Sequence, residues 1–132
     1  MTELALLITA LLFGGMVLYS FGFAAFLFTS LPADTASPLL RKAFPHFYLF
    51  VLSCSLIATG LAIGVDHLSA AILCAVFLTT VYARQILMPA INAATDDGNK
   101  SRFKKLHWFS VLITLSHIVA AAWCIVRLAH AA

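Results

Sequence analysis

The stretch LALLITALLFGGMVLYSFGFAAFLFTS, residues 4–30, contains no charged side chain. As a helix rising about 1.5 Å per residue, it is long enough to cross the roughly 30 Å of hydrocarbon in a bilayer. Three further apolar runs, residues 44–63, 68–91 and 108–126, also reach the ~20 residues that a crossing needs. We therefore expect four transmembrane helices.

The composition favours the same environment. Apolar residues make up 63% of the 132-residue chain and charged residues only 10%, whereas about 25% of an ordinary soluble domain is charged. The apolar runs are continuous and do not alternate, which is typical of helices and not of membrane strands. We predict an all-α integral membrane four-helix bundle, a single transmembrane domain over residues 1–132. Its partner is the lipid bilayer, and no basic and aromatic stripe indicates nucleic-acid binding.

The distribution of positive charge predicts the orientation. Two segments, residues 31–43 and 92–107, carry six cations, and the opposite side carries only Arg127. Because cytoplasmic loops are enriched in lysine and arginine, we expect both segments to be cytoplasmic loops, the helices to run antiparallel up and down, and both termini to lie outside. With no organelle signal in the sequence, a bacterial inner membrane is expected. The six cations are Arg41, Lys42, Lys100, Arg102, Lys104 and Lys105.

Turn-forming residues predict where the helices end. Pro32, Pro38 and Pro45 are expected to interrupt the first connection, with Ser37 capping a short turn at the membrane interface. Ser101 is expected to cap the last helix. Residues 64–67 are all that separate the second and third runs, which predicts a tight hairpin.

Small residues predict where helices approach each other. Gly15 and Gly22 lie on one face of the first helix, and Gly60 and Gly64 form a GxxxG motif on the second, unless these glycines only reflect general membrane-helix composition. The three cysteines lie within apolar runs without CxxC spacing, so we expect them to be core residues. They are Cys54, Cys74 and Cys124.

Arg84 is the one charged side chain inside the four runs. An arginine at mid-bilayer costs a few kcal/mol on insertion scales, so such residues usually face the bundle interior and find a partner. No acidic residue lies within the spans, so the expected partner is a carbonyl, an amide, a lipid phosphate or an anionic ligand. The alternative is that Arg84 extends to the cytoplasmic headgroups.

Other polar side chains are expected near the depth of Arg84. His46 and Tyr48 open the second helix, Asn92 follows Arg84 on the third, and His107 and Ser110 open the fourth. In an antiparallel bundle these groups meet on the cytoplasmic side. We call Arg84, His46, His107, Asn92, Ser110 and Tyr48 the polar cluster, and predict that it binds a ligand, a lipid headgroup or a partner helix.

A metal or haem site is the alternative interpretation. His46 and His107 on different helices could hold a haem b iron between them, with His117 near the middle of the fourth helix as a further ligand, although a lone buried histidine is more often a hydrogen-bonded packing residue. Soft copper ligands occur without paired spacing: Met16, Cys54, Cys74, Met88, Cys124 and His117. No cofactor is the leading expectation. No catalytic motif is present, so we do not expect an enzyme.

The motifs resemble a known family. The segment SLPADTASPLLRKAFPHFY at residues 30–48, then Arg84, Pro89 and Asn92, then FKKLHWFS at residues 103–110, are similar to the transmembrane protein 205-like family, a domain-of-unknown-function (4149) group of small four-helix membrane proteins. The resemblance covers residues 14 to about 116, and Trp108 departs from it where a glycine often follows the histidine. The family's marks fall on Gly15, Leu31, Pro32, Phe44, Pro45, Tyr48, Arg84, Pro89, Asn92, Leu106, His107 and Ser110.

The resemblance implies a layout like that of copper-resistance and haem-linked four-helix proteins, and an association of eukaryotic members with the handling of metal-containing drugs. It implies no reaction, because function belongs to sites and not to folds. Three hypotheses follow: a non-enzymatic protein that binds an anionic headgroup, a small ligand or a partner helix; a haem or copper carrier; and an accessory subunit or assembly factor of a membrane complex. A homo-oligomer is left open.

Overall fold

The computed structural model describes residues 1–131. These residues form four long helices, α1 Thr2–Ser30, α2 Ala33–Ala62, α3 His67–Asp96 and α4 Lys100–Ala131. Each is long and apolar enough to cross a membrane, and residues 1–131 contain no strand. The prediction of an all-α protein with four membrane-spanning helices is confirmed.

The helices pack as a bundle in which α1 and α3 each contact both α2 and α4. The buried face of α1 repeats every three or four residues, the spacing of one side of a helix, through Ala5, Thr9, Leu12 and Met16. The other helices add mostly aliphatic, small and aromatic side chains to the same core. The largest fully buried of these include Val51, Leu73, Leu87, Cys124 and Leu128.

The outer surface of the bundle is apolar. Leu18, Val119 and Leu7 remain 71%, 68% and 63% exposed, and many phenylalanines are similarly uncovered. Soluble monomers rarely expose contiguous apolar surface on this scale. This surface fits lipid, as expected for a multi-pass membrane protein.

The two predicted cytoplasmic loops are mostly helical, so their prediction as loops is wrong. Only Leu31 and Pro32 separate α1 from α2, and only residues 97–99 separate α3 from α4. Pro38 and Pro45 lie inside α2, because membrane helices tolerate proline where neighbouring groups satisfy the freed carbonyls. Hydropathy marks where the hydrocarbon ends, whereas these helices continue into the polar region beyond it.

The predicted caps also need correction. Pro32 and not Ser37 precedes α2, and no side chain caps that end. Before α4 the cap is Asn99, whose Oδ1 accepts a hydrogen bond from the Arg102 backbone N–H at 3.1 Å, and Ser101 lies inside the helix. The tight turn between α2 and α3 is confirmed, since the helices end at Ala62 and begin at His67.

Of the four glycines expected at helix contacts, only Gly15 is at one. A Cβ placed on Gly15 would overlap the ring of Phe50 on α2, whereas a Cβ on Gly60 or Gly64 would meet nothing within 4 Å. A Cβ on Gly22 would meet only Leu18 of its own helix. The GxxxG prediction is therefore wrong for contacts within this chain. Cys54 and Cys124 are buried and Cys74 is half-buried.

Candidate functional site

Helix α3 carries the candidate site and is held at its first end by an ion pair. Asp66 precedes α3 and caps it, accepting hydrogen bonds from the Ser69 backbone N–H at 3.2 Å and the Ser69 hydroxyl at 2.5 Å. The Arg127 guanidinium of α4 donates to both carboxylate oxygens, with Nε–Oδ2 at 2.8 Å and Nη2–Oδ1 at 3.0 Å. The hydrogen bonds from Arg127, which have the larger effect, and from Ser69 hold the pKa of Asp66 well below its usual range.

A second ion pair holds the other end of α3. Asp96, the last residue of α3, accepts from Arg41 of α2 through Nη1–Oδ1 at 2.7 Å and Nη2–Oδ2 at 3.0 Å. The side chains of Arg41 and Asp96 are 44% and 58% exposed, whereas those of Arg127 and Asp66 are 33% and 19% exposed. Helix α3 is thus tied to α4 at one end and to α2 at the other, and exposure makes the second tie the weaker one.

Arg84 lies on α3 between these two ion pairs. Counted from Asp66 at 1.5 Å per residue, it is about 27 Å along the helix, near the far edge of a hydrocarbon layer about 30 Å thick. Its side chain is half-buried. The guanidinium Nε is 3.5 Å from the Pro45 carbonyl oxygen of α2, a long contact, and Nη1 donates to the Gln85 side-chain oxygen at 3.1 Å.

No carboxylate of residues 1–131 lies within 4.0 Å of Arg84, since the ion pairs in this part of the chain are those of Arg41 and Arg127. A guanidinium has five N–H donors. Two of those on Arg84 contact oxygens within the described residues. The positive charge and three donors are therefore available to a further anionic or carbonyl group.

The backbone is irregular around Arg84. Residues Ala83–Leu87 of α3 form a π-helical segment, as do Leu18–Phe23 of α1, and Pro45 interrupts the hydrogen bonding of α2 between them. The two π segments and Pro45 lie at the same depth in the bundle, because the Tyr19 ring of α1 stacks on Phe47 of α2 with ring centroids 4.9 Å apart and Arg84 contacts Pro45. We call this the irregular layer. Such π segments often mark functional positions.

Ser20 is an anomaly within the irregular layer. Its hydroxyl oxygen is buried and has no hydrogen-bond partner among residues 1–131. The other buried hydroxyls of α1 and α2 donate to the carbonyl four residues earlier, for example Thr9 to Ala5 at 2.7 Å and Ser55 to Val51 at 2.6 Å. Ser20 lies within the π segment Leu18–Phe23, where the backbone hydrogen-bond spacing differs from that of an α-helix.

The polar cluster is spread over more depth than expected. Ser110 of α4 is close to the level of Arg84, since the neighbouring Phe109 ring contacts Tyr82 at 6.4 Å. Asn92 is about 12 Å further along α3. Among residues 1–131 no hydrogen bond joins one side chain of the cluster to another, and Ser110 Oγ instead donates to the backbone carbonyl of His107 at 2.9 Å.

The remaining members of the polar cluster differ in exposure. His46 is exposed on α2, and His107 is exposed on α4, where its ring stacks on Phe103 at 5.6 Å. Tyr48 is buried and packs against Phe44 and Phe47. The structure therefore brings Arg84 close to the backbone beside His46, and it gives Tyr48 an aromatic environment.

Comparison with known proteins identifies the family. A family model described as a domain of unknown function, DUF4149, matches residues 7–100. The chain belongs to this family. The likeness to transmembrane protein 205 within it stays a prediction. Neither the search of curated proteins nor the search of solved structures found a match.

In this DUF4149 chain, His117 is buried and contacts α3 through a hydrogen bond. It is 8% exposed, and its Nε2 lies 2.6 Å from the Thr79 hydroxyl oxygen of α3. The Thr79 hydroxyl itself donates to the Ala75 carbonyl at 2.7 Å. With that proton engaged, we assign the imidazole Nε2–H as the donor in the His117–Thr79 bond.

Replacing Thr79 with valine is expected to lower the free energy of unfolding by about 0.5–1.7 kcal/mol, the range of side-chain hydrogen bonds between membrane helices. The change removes the acceptor and leaves the His117 N–H buried and unpaired. Thr80→Val is the control, because the buried Thr80 hydroxyl bonds only to Val76 of its own helix. Thermal unfolding in detergent measures both, and equal effects would contradict the assignment.

Sequence reasoning in this DUF4149 chain missed three features. The ion pair of Asp66 with Arg127 joins residues 61 positions apart, although both were expected on the same side of the membrane. The sequence indicates that Pro45 interrupts the first connection, but it does not indicate the contact of Pro45 with Arg84. The π segments and Ser20 carry no sequence signal that we recognise.

Proposed function

We propose that this DUF4149 chain is a non-enzymatic inner-membrane protein in which Arg84 binds an anionic group at the cytoplasmic edge of the bilayer. The observation that carries the proposal is a half-buried arginine, Arg84, whose guanidinium contacts only the neutral oxygens of Pro45 and Gln85 within residues 1–131. A neutral carbonyl interacts with a cation less strongly than an anion does. An anion that reaches Arg84 therefore gains a charge-assisted interaction.

The depth of Arg84 favours a phosphate-bearing lipid headgroup as the anion. Lipid phosphates lie just beyond the hydrocarbon layer, and Arg84 is about 27 Å along α3 from Asp66, against about 30 Å of hydrocarbon. A small soluble anion or a carboxylate of a partner helix has the same chemistry. Ser110 is close to the level of Arg84 and would add a hydroxyl to the site, whereas His46, Tyr48, Asn92 and His107 would reach the anion only if it extends beyond Arg84.

The proposal includes an antiparallel bundle with both termini outside. Contacts pair Asp66 with Arg127, Ser69 with Cys124 and Thr79 with His117, so residue numbers rise along α3 as they fall along α4. Arg41, Lys42 and the cations at the start of α4 then share one side, which the positive-inside rule assigns to the cytoplasm. Arg84 lies toward that side.

Arg84→Gln is the first test of this proposal. Native mass spectrometry of the purified protein, mixed with equal phosphatidylglycerol and phosphatidylcholine at high salt, reports the most tightly retained lipid. We expect wild type to retain phosphatidylglycerol, and Arg84→Gln to weaken it about tenfold or more, the scale of a hydrogen bond to a charged group. High salt suppresses the attraction of exposed cations. Lys42→Gln, an exposed cation on the same side, is the matched control.

Arg84→Lys extends the test to geometry. Lysine keeps the charge but loses the planar fork of donors, so retention between that of wild type and Arg84→Gln is expected. Inorganic phosphate in place of the lipid distinguishes a headgroup from a soluble anion. Equal retention of both lipids by wild type, together with no effect of phosphate, would remove the proposal.

A further inference from the structure

The first turns of α4 form a second charged surface. Lys100, Arg102, Lys104 and Lys105 are all exposed and helical, and the ion pairs within residues 1–131 involve none of them. Arg41 and Arg127 by contrast each have a carboxylate partner. We call residues 100–108 the basic segment.

The basic segment is placed where its charges oppose helix formation. The first turn of α4 contains no acidic residue, although the partial positive charge at a helix start favours anions and disfavours cations. Lys100 and Lys104 are also four residues apart, a spacing at which like charges repel. An anion from outside the chain would relieve both effects.

The membrane brings such anions to the basic segment. Arg127 belongs at the outer polar boundary with Asp66, and about 20 residues of helix cross the hydrocarbon, so the inner boundary falls near His107. Residues 100–106 then lie among or just beyond the headgroups. Phe103 and Trp108 are exposed beside the cations, at 37% and 56%, and tryptophan is enriched at that interface.

We infer that the basic segment is a docking surface for anionic phospholipid headgroups of the cytoplasmic leaflet. The four cations attract them, each contributing roughly fivefold in affinity near an anionic surface. Phe103 and Trp108 hold the segment against the bilayer. This inference does not depend on ligand binding at Arg84.

Hydrogen exchange of the full-length protein in nanodiscs tests the inference. We expect amides of residues 100–108 to exchange about tenfold more slowly in discs containing phosphatidylglycerol than in pure phosphatidylcholine discs, with the difference lost in high salt. The variant Lys100→Gln/Lys104→Gln should reduce the difference. Lys42→Gln and Arg84→Gln should preserve it, which separates this surface from the Arg84 site.

Identical exchange in the two kinds of disc would overturn the inference. A difference that persists in high salt would also contradict it, because surface attraction is screened there. If the double variant does not insert correctly, the salt dependence of the wild-type protein still decides between these outcomes. Lys100→Arg/Lys104→Arg, which keeps both charges, should behave as wild type.

Discussion

Replacing Gly15 with leucine is expected to lower the free energy of unfolding by about 1–3 kcal/mol, the usual cost of overpacking a close contact. At Gly15 even a methyl group would overlap the Cε1 and Cζ atoms of Phe50. The Phe50 ring would have to leave its position between α1 and α2. A leucine side chain at position 15 would also fill the space into which the Phe50 ring could turn.

The neighbouring glycine provides the control for this prediction. A Cβ on Gly14 meets nothing within 4 Å, so Gly14→Leu should leave the thermal unfolding midpoint in detergent nearly unchanged. Adding Phe50→Ala to Gly15→Leu should recover part of the loss, because the two changes share one space. Equal destabilisation by leucine at both glycines would contradict the packing of α1 on α2.

Replacing Asp66 with asparagine is expected to lower the thermal unfolding midpoint, and this is the second of the two largest effects that we predict. The change removes the negative charge that accepts hydrogen bonds from Arg127 and Ser69, and it weakens the cap of α3. The half-buried Arg127 side chain is then left without its anion. Asp96→Asn should destabilise less, because Arg41 and Asp96 are more exposed. The measurement is the difference in thermal unfolding midpoint, and a larger effect at Asp96 would contradict this ranking.

The Asp66 contribution should also depend on pH. Because Arg127 and Ser69 lower the pKa of Asp66 in the folded protein, its stabilisation is fully present above the ordinary carboxyl pKa of about 4. It is lost as pH falls toward the lower folded-state pKa. The gap in unfolding midpoint between wild type and Asp66→Asn should therefore shrink below about pH 4. A gap that stays constant would show that the carboxylate charge is not what matters.

The four helices could be predicted from the sequence because long apolar runs are stable as helices in lipid. The helix contact at Gly15 could be predicted because a residue without a side chain permits the close approach that Phe50 makes. It misplaced helix ends at residues 31–43 and 92–107, since polarity and proline do not by themselves stop a helix. The partner of Arg127 depends on which helices are neighbours, and that is a property of the whole bundle. For the same reason Arg84 could be singled out, but its contact with Pro45 could not.

Solid-state NMR of the protein in phosphatidylglycerol bilayers, with ¹⁵N in the four arginine side chains, tests the central claim most directly. Dipolar coupling between guanidinium nitrogen and lipid ³¹P reports contact, and Arg84→Gln identifies the Arg84 signal. We expect the Arg84 signal to be dephased by phosphorus at high salt. An Arg84 signal that is undisturbed by phosphorus, in a protein that is folded and inserted, would contradict headgroup binding at this site.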